Sequence, residues 1–182
     1  MDKSSYSFAP KCLVAALVCS AIAPAAGAQE STDGASAAAI VEPLQITKTA
    51  DLDFGTLVPN GTGFGRVRIH ARTGARRTNA NVTAMGTDGF QRAQFELTGQ
   101  PRTMISLTTS SPVITLTGPG VAMRMDRMKV NRNNGGQRNL PQTFRLGRTG
   151  TINIGFGGRL RVASDQAPGK YSGTFDLIAT YQ

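Results

Sequence analysis

Gly169-Lys170-Tyr171-Ser172-Gly173-Thr174-Phe175-Asp176-Leu177-Ile178-Ala179-Thr180-Tyr181-Gln182 places Tyr171, Phe175, Leu177, Ala179 and Tyr181 at positions of one parity. A period of two is that of an extended strand, whose successive side chains point to opposite faces. The run therefore predicts a strand with one apolar face. It reaches Gln182 with no element after it, so its free side is expected to be open to a strand from elsewhere.

Upstream, the same period recurs. Val67 and Ile69 alternate with Arg66, Arg68 and His70; Phe95 and Leu97 with Glu96 and Thr98; Ile105 and Leu107 with Ser106 and Thr108; Ile114 and Leu116 with Thr115 and Thr117. Between them stand turn signals: Pro59-Asn60-Gly61, Gly86-Thr87-Asp88-Gly89, Thr117-Gly118-Pro119-Gly120, Asn133-Asn134-Gly135-Gly136 and Ala167-Pro168-Gly169. Short alternating strands between such turns predict an all-β antiparallel sandwich. Val121, Met123 and Met125 keep one parity and Met128 and Val130 the other, which predicts a bulge or break near Asp126-Arg127. These methionines read as core filling rather than as a copper site.

Composition agrees. The 182 residues are 40% hydrophobic and 17% charged, enough to build a core and too apolar for a disordered polymer. Twenty-one Gly and 9 Pro suit turns and break helices, which argues against a helical bundle. One His and two Cys leave little for zinc or for a His-dependent catalytic centre, so neither an enzyme nor a cofactor is expected.

The organisation follows from the N-terminal end. Lys3 and Lys11 precede an uncharged apolar stretch from Cys12 to Ala25, and Ala26-Gly27-Ala28 is a small-residue cleavage pattern. Residues 1–28 read as a secretory signal peptide, which makes the protein exported. Its removal takes both Cys with it, so the remaining chain has to fold on packing and strand pairing alone. Residues 29–42 form a small-residue extension in which Ala35, Ala37, Ala39 and Val41 share a parity, and 43–182 form a single β-sandwich domain. The formal net charge is +9, carried mostly by Arg, which suits anionic surfaces. Nucleic acid is not the expected partner, because clustered aromatics and a reading helix are lacking.

These two ends resemble a known pattern. The terminal run with Gly169, Tyr171 and Tyr181 looks like the last strand of fimbrial subunits built by the chaperone-usher route. It is similar also to secreted bacterial pilin-like domains of unassigned function, with Pro43-Leu44-Gln45-Ile46-Thr47-Lys48 leading to Leu52-Asp53-Phe54-Gly55, and with the Gly-rich Gly157-Gly158-Arg159-Leu160-Arg161-Val162. The resemblance implies an immunoglobulin-like sandwich lacking its final strand. It implies passage through the periplasm with a chaperone, delivery by an outer-membrane usher, and completion by the extension of the next subunit, giving a head-to-tail fibre at the cell surface. Ala35, Ala37, Ala39 and Val41 would be the donated side chains. Tyr171, Phe175, Leu177, Ala179 and Tyr181 would border the acceptor groove and the chaperone contact. The donors are small, so Ile40, Leu44 and Ile46 of the opposite parity remain an alternative inserted face.

A second function class stays open. Arg66, Arg68 and Arg72 share a parity and suit bidentate recognition of anionic host or envelope glycans by a self-contained binding module or adhesin. His70 reads as solvent-facing rather than catalytic. Asp51 and Asp53 share a face but lack the further oxygen ligands that calcium wants. Gly61-Thr62-Gly63-Phe64-Gly65 lacks the ending of a phosphate loop and reads as a turn.

Overall fold

A computed structural model describes residues 38–87 and 89–182. The expected signal peptide and the donor positions Ala35 and Ala37 lie outside the described residues. The chain divides into units 1–38 and 39–182, and every described strand belongs to the second.

That unit is an all-β antiparallel sandwich. Its larger sheet has the order β1 (Gln45–Ala50), β6 (Ala93–Thr98), β12 (Thr151–Val162), β3 (Gly65–Ile69), β4 (Arg76–Thr78). Along its other side β12 also pairs with β9 (Met123–Arg132), which carries β8 (Ile114–Leu116) and β10 (Arg138–Asn139). The smaller sheet is β11 (Gln142–Arg145), β7 (Met104–Thr109), β13 (Leu177–Tyr181), and β2 (Leu57–Pro59) pairs with β5 (Val82–Ala84). Val67, Ile69, Leu97, Ile152, Ile154, Phe156 and Val130 from the larger sheet meet Ile105 and Leu107 from the smaller one in a shared core. Each is at most 1% exposed, as alternation requires when one face of each sheet is buried.

The long strand β12 organises the fold through its glycines. A Cβ at Gly155 would lie 2.3 Å from the Ala71 carbonyl oxygen, and one at Gly157 would lie 2.3 Å from that of Ile69. The chain leaving β3 therefore crosses β12 at backbone contact, which only Gly allows. On β9, Gly157 faces Lys129 and Arg159 faces Asp126, so Arg127 and Met128 together oppose Gly158. Arg127 takes φ 50°, and the bulge stands at the parity change read from Met125 and Met128.

Two expectations are corrected in extent. The terminal run is a ladder strand only over Leu177–Tyr181; before it, Ser172 makes an isolated bridge to Thr117. Gly173 lies so close to the Thr115 carbonyl that a Cβ would sit 2.3 Å from it, which draws this segment towards β8 and away from β7. The arginine strand ends at Ile69, and Arg72 lies in the following turn, closed by the Gly74 N–H donating to the His70 carbonyl at 2.8 Å.

Candidate functional site

Two features stand out: the paired edges of the sandwich, and the outer face of the larger sheet. Strands β1 and β13 are each the last strand of their sheet, so each has a row of backbone groups without a ladder partner among the described residues. Leu44 and Ile46 at β1, and Leu177, Ala179 and Tyr181 on β13, are half-buried and pack against the core. The alternate residues Ile178 and Thr180 are exposed.

The two edges are fastened together at one end. The Tyr181 hydroxyl donates to the Glu42 carbonyl at 2.7 Å and accepts from the Gln100 N–H at 2.7 Å. The Glu42 N–H in turn donates to Gln100 Oε1 at 3.4 Å. At the start of the terminal run, the Tyr171 hydroxyl donates to the Ala167 carbonyl and accepts from the Gly120 N–H, both at 2.9 Å. Between them, Phe175 stacks on Phe156 with centroids 4.6 Å apart and meets Phe95 edge-on at 6.1 Å. The five residues read together from their parity thus fall into three kinds. Tyr171 and Tyr181 are clamps, Phe175 is core, and Leu177 and Ala179 line the edge.

Of the four donor positions, Ala39 and Val41 are described. Both are exposed and stand in no strand; Val41 is 60% exposed and the intervening Ile40 98%. Leu44 and Ile46, the opposite-parity alternative, pack against their own core, the latter from within β1.

The outer face of the larger sheet carries arginines in cross-strand register. One row runs Arg77, Arg68, Arg159, Asp126 across β4, β3, β12 and β9. The next runs Arg66, Arg161, Arg124, Thr115 across β3, β12, β9 and β8. Asp126 is the one carboxylate in these rows. Arg159 grips it through both oxygens at 2.7 Å, and Arg161 adds Nε at 3.1 Å and a terminal nitrogen at 3.0 Å. The Arg159 hydrogen bonds hold the Asp126 carboxyl below its ordinary range despite partial burial, and Asp126 raises Arg159. Arg66 and Arg68 stand on this face as their parity required. Arg72 stands in the turn after β3, where its charge acts on His70.

His70 is surrounded by cations. Its pKa is lowered by partial burial first, then by Arg77, Arg72, Lys129 and Arg68. Nδ1 lies 3.3 Å from the backbone N–H groups of Arg72 and Thr73, and Nε2 lies 2.8 Å from the Gln137 amide nitrogen. Asp51 and Asp53 serve local structure. Asp51 pairs with Lys48 at 2.6 Å, and Asp53 accepts from the Gly55 N–H at 2.7 Å. Among the described residues no three His, Cys, Asp or Glu converge as a metal would need.

Sequence reading places Arg77 just after Arg66, Arg68 and Arg72 but misses Arg124, Arg159, Arg161 and Asp126 as members of this face. Parity marks each as outward, but only long-range register sets them side by side. Residues 44–181 match the model of a family described as a domain of unknown function, DUF4402. No curated protein and no solved structure matches the chain.

Proposed function

The chain belongs to the DUF4402 family, and on that premise we propose that it is a structural subunit of a cell-surface fibre whose copies join by strand donation. On this reading it is exported, held in the periplasm by a chaperone, passed to an outer-membrane usher and completed by the extension of the next copy. The observation that carries the reading is β13. It pairs with β7 along one side only among the described residues, and its inward side chains Leu177 and Ala179 are half-buried where a closed sandwich would cover them.

A strand added along β13 gains main-chain hydrogen bonds from the free edge and buries alternate side chains over Leu177 and Ala179. Because apolar burial is worth about 25 cal/mol per Å², Ala donors contribute little area, and the backbone ladder supplies most of the affinity. Ala35, Ala37, Ala39 and Val41 are the donated set. Leu44 and Ile46 are already engaged with their own domain, so only Ile40 of the other parity competes for insertion.

Replacing Ala37→Asp together with Ala39→Asp tests this in the whole protein. Self-association measured by sedimentation should fall to monomer while the thermal unfolding midpoint stays unchanged. A variant that associates like the parent contradicts the reading and leaves a self-contained module.

A further inference from the structure

A β-sheet face normally avoids like charges directly opposite one another, because such cross-strand pairs are destabilising. Here Arg68 faces Arg77 and Arg159, while Arg161 stands between Arg66 and Arg124. Six guanidinium groups share the two rows with one carboxylate. Arg159 and Arg161 are engaged with it, whereas the side chains of Arg66, Arg68, Arg77 and Arg124 have no hydrogen-bond or ion-pair partner among the described residues. One carboxylate offsets only Arg159 and Arg161, so the rows break a local rule with partial compensation inside the fold, as functional surfaces do.

Strands in a sheet stand about 4.8 Å apart, and residues two apart along a strand are separated by roughly 6.6 Å. The rows therefore repeat donors at these intervals over the twisted sheet, and their strand-to-strand step is close to the length of one pyranose unit in an extended chain. Neither row contains an aromatic side chain on which bases could stack, and no helix stands there to enter a groove. A carboxylate is already gripped on this face in the two-pronged arrangement that guanidinium groups favour, at Asp126.

We propose that the Arg66–Arg161–Arg124 row, with Arg68 and Arg77 of the row beside it, is a binding face for an acidic polysaccharide with a carboxylate on successive sugars, which lies across the strands. Buried Arg159 holds Asp126, which orients the exposed Arg161, and Arg66, Arg68, Arg77 and Arg124 supply the free forks. The face lies on the outer side of the larger sheet, so this inference stands whether or not copies join through β13.

The test is the affinity of the whole protein for polygalacturonate at about 0.15 M salt, with neutral dextran and single-stranded poly-dT as comparators. Removing three free forks with Arg66→Gln, Arg68→Gln and Arg124→Gln should weaken binding about tenfold or more. Arg138→Gln, Arg148→Gln and Lys170→Gln, which remove the same charge elsewhere, should weaken it about twofold or less. Thr115→Arg, which lengthens the second row onto β8, should tighten binding severalfold, and this gain does not depend on how well the triple variant folds. Equal loss from both triple variants, no gain from Thr115→Arg, or tighter binding of poly-dT would each overturn the proposal.

Discussion

His70 is a single imidazole held among cations, and its position makes a pH dependence. Burial and the charges of Arg77, Arg72, Lys129 and Arg68 favour the neutral ring, so its folded pKa lies below the ordinary 6.5. Above 6.5 neither the folded nor the unfolded chain binds a proton there, and the contribution to stability is complete. Below it the unfolded chain takes up a proton that the folded one resists, so stability falls until the folded pKa is reached. Urea unfolding should show a declining midpoint as pH falls below 6.5, and His70→Asn should flatten that decline. An unchanged slope in the variant would assign the decline to another group. The sign at Asp126 is that of a carboxylate, its contribution present above 3.8 and lost in more acid solution.

How much of this was legible depends on sequence separation. That His70 points away from Val67 and Ile69 follows from parity within five residues of β3. Its opposition to Lys129 and Gln137 does not, since strand register over such distances is set by the packed core. Arg72 shows the other limit: it has the parity of Arg66 and Arg68, but the strand ends at Ile69 and parity stops carrying information in a turn.

Among the elements, β12 explains most of the architecture and was the least readable. Of its residues only the Gly-rich run Gly157–Val162 was singled out in the sequence, and nothing local says that Gly155 and Gly157 admit the backbone of residues 69–71. Gly157→Ala should cost roughly 2 kcal/mol or more in urea unfolding, because the new Cβ meets backbone atoms that cannot move aside. Gly136→Ala has open space at its Cβ and should change stability by less than about 0.5 kcal/mol. Equal effects at both positions would remove the close-approach account of β12. The β9 bulge was legible because Met125 and Met128 change parity in the sequence itself.

The tyrosine clamps belong to the same scale. The Tyr181 hydroxyl joins the end of β13 to Glu42 at the approach to β1, so Tyr181→Phe removes two hydrogen bonds at once. It should lower stability by about 1 to 2 kcal/mol and speed proteolysis on the N-terminal side of β1. Intact protection there would show that Glu42 is held by other contacts. Parity alone put Tyr171 and Tyr181 in one row with Leu177 and Ala179; hydroxyl partners, invisible in sequence, separate them.

For the whole molecule, an all-β antiparallel sandwich was legible because β3, β6, β7, β8, β9 and β13 carry their own alternation between turn signals. The positive φ values at Gly61, Gly86, Gly89, Asn133, Asn134 and Gly169 fall in the turns those residues announced. The open edge along β13 was legible in outline and shorter than expected, five residues of ladder with a bridge before it. Its use as an acceptor is the central claim. The most direct test is a denaturing gel of material sheared from the producing cells, run unheated beside a boiled duplicate and blotted for this protein. Donated strands predict a ladder of evenly spaced multimers that collapses to one band on boiling, since an extended β interface resists detergent until heated. A single monomer band in both lanes would contradict strand donation.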